Sequence, residues 1–210
     1  MASPLDFLIS ALVTLLVVVD PIGLVPAFLA LTGSLSEDMR RQVALRACLI
    51  ANAILIGAAL GGDWLLRQLG ISIPAFRIAG GLLLFAVAFE MVLGLRLQHT
   101  ARDAEQAVVE QARDLAAFPL AIPLMAGPGA ITATILLAGQ AAYRPQWLAV
   151  LLGVVVAVMG ACLLSFFAAA PIGRLLGITG NVVASRLLGV ILAALAVQYV
   201  VDGVRAAFGF

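Results

Sequence analysis

The chain has 210 residues, 64% of them hydrophobic and 11% charged, with a formal net charge of +1. Soluble domains are about 25% charged, so these few charges cannot clothe a water-facing surface of this length. The apolar residues run in bilayer-length blocks, the mark of an integral membrane protein, and the near-zero charge leaves no basic patch for nucleic acid.

The first predicted span, 5–31, contains VVVDPIGLVPAF at residues 17–28, with Asp20, Pro21, Gly23 and Pro26 packed into an otherwise apolar stretch. Pro21 and Pro26 each lack a backbone donor, and Pro21 disfavours helical geometry at Asp20. The span is therefore expected to break near its middle, with Asp20 as N-cap and Pro21 as the first residue of a new half-helix. Nothing basic precedes Arg40 and Asp6 comes before the apolar run, so no cleavable signal peptide is expected.

The second span, 43–66, carries Cys48, Asn52 and a Gly57-x-x-x-Gly61 spacing that reads as close helix packing. The third, 71–95, carries Arg77 and a buried acid, Glu90, a candidate for proton coupling. A charged linker over 97–114 follows, expected on the cytoplasmic side, with His99 solvated. The fourth span, 115–139, contains AIPLMAGPGAITATI, where Gly127-Pro128-Gly129 is expected to break the helix. The fifth, 146–170, holds Cys162 and Ser165, and the sixth, 182–208, holds Gln198. Asn52, Ser165 and Gln198 would either line a path or join helices. A polar connector, RLLGITGN, is expected between the last two spans. The two cysteines lie singly in different runs and read as packing residues.

All twelve basic residues are Arg. With the N-terminus outside, the inner connectors hold eight of them and the outer ones four, which places both termini outside. A repeat underlies the spans: RQLGI at Arg67 returns as RLLGI at Arg174, an offset of 107 that also carries Pro21 onto Pro128. After a two-residue insertion Arg77-x-x-Gly80 falls on Arg186-x-x-Gly189, and Gly94 on Gly203. The expected architecture is an all-α membrane protein of six spans in a 3+3 inverted repeat, residues 1–96 and 115–210, its first and fourth spans broken near midplane.

The same offset sets Asp20 against Gly127. A bare helix N-terminus at Gly129 and Ala130 attracts a carboxylate, whereas Asp20 can accept from an ammonium group. The pair would suit a zwitterion, with Thr132 and Thr134 supplying hydroxyls. Asp20 acting only as a cap is the other reading. No metal-ligand cluster, nucleotide loop or nucleophile motif is present, so neither cofactor nor metal is expected.

The motifs DPIGLVPAFLALT, GISIPAFRIAGGLLLF, PLAIPLMAGPGAI and SRLLGV with VQYVVDG resemble the MarC family of bacterial inner-membrane proteins, from the first span to the last. The resemblance implies a plasma-membrane protein with a fold related to the LysE-type exporters, and a role in moving neutral amino acids like the members called NAAT transporters. Its motif positions here are Pro21, Gly23, Pro26, Arg77, Gly80, Pro123, Gly127, Pro128, Gly129, Arg186 and Gly189. Asp20 stands where many members carry Asn.

The leading expectation is a secondary transporter or exporter of small neutral amino acids or similar solutes, moving its two repeats around the paired breaks. The alternative is a non-transporting membrane factor that handles lipid or assembles with partners. A thiol–disulfide carrier would need paired cysteines at the breaks, which Cys48 and Cys162 do not supply. An enzyme is not expected, because Asp20 and Glu90 lie on different spans without a nucleophile–base set. Small-residue faces permit a homo-oligomer without requiring one.

Overall fold

The computed structural model describes residues 4–33, 35–94, 116–141 and 144–209, whose regular elements are all helices with no strand among them. The linker expected at 97–114, His99 included, lies outside the described residues. Helix α1 (Pro4–Val19) is followed by a turn at residues 21–24 and the short α2 (Val25–Thr32). α3 (Glu37–Gln68) starts on Ser36, whose hydroxyl accepts from the Met39 N–H at 3.5 Å, with Glu37 and Asp38 complementing the helix N-terminus. Gly70, at φ 67°, then reverses the chain into α4 (Ile73–Leu93), capped by Ser72 and closed by Gly94 at φ 74°.

After the linker come α5 (Ala116–Met125), α6 (Pro128–Gln140), α7 (Pro145–Phe167) and α8 (Ala169–Phe208). α5 is wound wider than an α-helix, with the Ala126 N–H reaching back five residues to the Ala121 carbonyl at 2.8 Å. Pro119 and Pro123 remove the donors that an ordinary i→i−4 ladder would need there.

By length and composition four stretches can each cross a membrane: Glu37–Gln68, Ile73–Leu93, Pro145–Phe167 and Gly180–Phe208. Spanning takes about 20 residues, which α1 and α2 (16 and 8) and α5 and α6 (10 and 13) reach only in pairs.

Near its start α8 kinks sharply at Gly177, whose φ 58° and ψ −176° are not helical angles, and the membrane-length stretch begins at Gly180, so the RLLGITGN connector falls between the last two spans as expected. Two expectations need correction. Gly57 and Gly61 are not packing glycines among the described residues, since a Cβ on either would meet nothing within 4 Å there. The tight contact of α3 falls on Gly62, where a Cβ would lie 2.6 Å from Ile135 Cγ1. Helix α2 begins at Val25 rather than Pro21, for reasons set by Asp20 below.

α4 and α8 form the most extensive helix pair and run antiparallel. Gly81 faces the Ala196 carbonyl at 2.7 Å from where its Cβ would lie, Gly189 faces Met91 at 2.9 Å, and Gly203 faces the Pro74 carbonyl at 3.0 Å. Without a hydrophobic drive between helices in lipid, such small residues let backbones approach closely. α3 packs on α7, and α1 and α6 fill the space between these pairs.

Candidate functional site

The first break is organised by Asp20. It ends α1 at φ 54°, a left-handed conformation that Asp and Asn tolerate better than most residues. Its Oδ1 accepts from the Gly23 N–H at 2.9 Å, and its carbonyl accepts from the Leu24 N–H at 3.1 Å. This turn consumes residues 21–24, so Pro26, not Pro21, lies in the first turn of α2. Asp20 thus caps the turn ahead of the helix, and α2 itself has no side-chain cap. Gly23 has to be glycine because a Cβ there would overlap the Asp20 carboxylate.

Asp20 is 3% exposed, and its second oxygen accepts from the Ser185 hydroxyl of α8 at 3.1 Å. Its partners are therefore neutral donors, and it forms no ion pair among the described residues. A carboxylate buried in an apolar bundle without a countercharge makes Asp20 a candidate functional residue. One turn before Ser185 on the same face, Asn181 is also buried, and its Nδ2 has no hydrogen-bond partner. The sequence reading missed both residues; the Asn181-x-x-x-Ser185 spacing in an apolar run was the available signal.

The second break is bare. Gly127 is the N-cap of α6, at φ −76° and ψ 173°, with no side chain to cap it and Pro128 in the first turn. The Ile131 N–H takes the Gly127 carbonyl at 3.0 Å, so the Gly129 and Ala130 N–H groups precede the first intrahelical bond. A Cβ on Gly127 would overlap the Pro123 carbonyl, which keeps the turn narrow.

The breaks lie side by side. The Cβ position of Gly129 is 3.5 Å from Val18 Cγ1, two residues before Asp20, and 3.2 Å from Leu84 Cδ2 of α4. Thr132 is buried with its methyl against Gly80. Thr134 is also buried, but its hydroxyl donates to the Ala130 carbonyl at 2.7 Å, so that proton is committed within the helix. Glu90 is half-buried rather than buried, three residues beyond Val87 and six beyond Leu84, both of which lie against the Cβ position of Gly129. Gln198 is exposed and donates to Asp202 at 2.8 Å. Arg77 is half-buried with no partner for its Nε. Cys48 and Cys162 are buried free thiols.

Long apolar helices, two apolar segments interrupted next to each other, and a buried carboxylate at one interruption define a polytopic integral membrane protein. The chain belongs to the MarC family: the description "MarC family integral membrane protein" matches residues 5–208. It is 40% identical over 205 residues to a UPF0056 membrane protein of Archaeoglobus fulgidus, covering 96% of this chain and 94% of that one. It is 36% identical over 200 residues to the UPF0056 membrane protein YhcE of Escherichia coli, covering 92% and 90%. No solved structure matches the chain.

Proposed function

We propose that this protein is a secondary carrier of small neutral amino acids or similar solutes, built from six spans as a 3+3 inverted repeat. Its first and fourth spans are the broken ones, α1 with α2 and α5 with α6, and both termini face the outside of the plasma membrane. The observation that carries this reading is the adjacency of two unlike helix starts, one holding the Asp20 carboxylate and one bare at Gly127. An α-ammonium group would go to Asp20 and the carboxylate to the Gly129 and Ala130 N–H groups, which Thr132 adjoins.

The helix bounds support the repeat. Shifted by the offset of 107, α3 would cover 144–175, and α7 starts at Pro145. Gly70 and Gly177, one offset apart, both take positive φ, 67° and 58°. The α4–α8 contacts support its inversion. Gly203 faces Pro74 and Ile78 while its sequence counterpart Gly94 faces Arg186, and Gly81 faces Val200 while Gly189 faces Met91. Exchanging the two helices maps each contact near another, as a local two-fold axis requires.

The test is counterflow of labelled glycine, alanine and serine in proteoliposomes, with and without a pH gradient. Saturable counterflow that excess unlabelled substrate blocks is expected. No counterflow of any of these by folded protein overturns the reading.

A further inference from the structure

A cavity of about 430 Å³ lies where the end of α2 and the start of α3 face the junction of α7 and α8. Its walls include Glu37, Arg40 and Arg41, and the Phe28–Phe166 stack, with ring centroids 4.4 Å apart, closes it inwardly. None of Asp20, Gly127, Gly129 or Ala130 lines it. Arg40 donates through Nη2 to the Thr32 carbonyl at 3.4 Å, but its Nε is buried without a partner. Arg41 is exposed at the rim, and neither arginine forms an ion pair among the described residues. A buried cationic donor with no acceptor is a cost that a bound anion relieves. Glu37 sits in the first turn of α3, where the helix N-terminus accounts for its charge.

Leu45 lines this cavity and also a second, mostly apolar groove of about 190 Å³ between α3 and α7, where the Asn52 Oδ1 is buried without a partner. The groove runs past Cys48 and Asn52 on one side and Leu163, Met159 and Val156 on the other. Seven residues of helix from Leu45 to Asn52 are about 10 Å, roughly two-thirds of a ~15 Å leaflet. Gly160 borders the groove, and a Cβ there would meet nothing within 4 Å.

We propose that this composite site holds one anionic glycerophospholipid, its phosphodiester on Arg40 and Arg41 and an acyl chain in the α3–α7 groove. Two arginines and one glutamate give the lining a formal charge of +1, opposite to that of a phosphatidylglycerol headgroup. The place, at the edge of the bilayer on the arginine-rich side, suits an inner-leaflet lipid. The site stands independently of the carrier reading, and only its assignment to the inner leaflet rests on the proposed orientation.

The full chain, purified in maltoside detergent, is titrated with phosphatidylglycerol, phosphatidylcholine of the same chains, and glycerol 3-phosphate. Bound lipid is counted by native mass spectrometry and stabilisation read from the melting temperature. One phosphatidylglycerol per chain is expected to survive, while phosphatidylcholine is retained less and glycerol phosphate does not raise the melting temperature. Arg40→Gln and Arg41→Gln should each weaken phosphatidylglycerol retention about fivefold; Arg41 is exposed, so its variant serves if the other misfolds. Gly160→Phe, whose Cβ would meet nothing within 4 Å among the described residues, puts a ring at the border of the groove and should weaken retention, while melting in lipid-free detergent stays at or above that of the wild type. Equal retention of the two lipids, stabilisation by glycerol phosphate as large as by phosphatidylglycerol, or undiminished retention in Gly160→Phe would each overturn the proposal.

Discussion

Replacing Asp20 by Asn removes one negative charge from the first break while keeping an acceptor toward Gly23 and a residue type that tolerates positive φ. The carboxylate takes two bonds, from the Gly23 N–H at 2.9 Å and the Ser185 hydroxyl at 3.1 Å. Hydrogen bonds to charged groups contribute about 1.5–3 kcal/mol and neutral ones about 0.5–1.5 kcal/mol. Each bond therefore weakens by about 1 kcal/mol, and the Ser185 hydroxyl can rotate to accept from the new amide. The variant should fold with a small drop in melting temperature. An ammonium ion at the same carboxylate loses a similar 1–2 kcal/mol, which raises the KM of counterflow about five- to thirtyfold. Asp20→Ala should fare worse in the fold itself, because it strands the Gly23 N–H and leaves Ala at positive φ, at about 1–3 kcal/mol for the donor alone. Counterflow of labelled alanine in proteoliposomes, paired with melting in detergent, reads both effects. A folded Asp20→Asn protein with wild-type KM would refute the claim that this carboxylate reads a substrate charge, and leave Asp20 as a turn cap.

Asn181→Ala deletes a buried donor that has no partner, so melting should hold or rise while counterflow falls; falling melting with unchanged counterflow would make Asn181 structural. Gly81→Val drives side-chain atoms into the Ala196 carbonyl and Val200, and overpacking of this kind costs about 1–3 kcal/mol, visible as a lowered melting temperature. Gly57→Ala, in the interior of α3 with open space around it, should instead stabilise by about 0.5–1 kcal/mol, a direct check that this glycine packs against nothing in the monomer. In a background without Cys48 and Cys162, single cysteines at Leu5 and Ala207 should react with an impermeant maleimide added to intact spheroplasts, and one at Met39 should not. The opposite pattern would reverse the proposed orientation.

Backbone chemistry was the readable part of this chain. Pro21, Pro26 and Gly127-Pro128-Gly129 act within their own neighbourhoods, so both interruptions could be located before any contact was known. Tertiary facts were not readable in the same way. The Ser185–Asp20 bond joins residues 165 positions apart, and nothing local to Ser185 distinguishes it from a serine that bonds its own helix. The Gly57/Gly61 error has the same root: spacing gives a shared helix face but not what that face meets, and here the contact falls on Gly62 beside it. RLLGITGN falls where the chain kinks between the last two spans, because Gly177 takes a positive φ that a glycine adopts at no steric cost.

The α4–α8 pair gives the two breaks a common frame. The bare end rests on α4, through Gly129 against Leu84 and Val87 and Thr132 over Gly80. The charged end rests on α8, through Ser185 against Asp20. Since α4 and α8 meet through glycines with backbone atoms in near contact, they have little freedom to slide without separating. The spacing between carboxylate and bare N-terminus is therefore set by two helices that contribute little charge of their own to it. A substitution at Gly81 or Gly189, which touch neither break, should then alter substrate affinity along with stability, whereas one at the outward-facing Gly57 should alter stability alone.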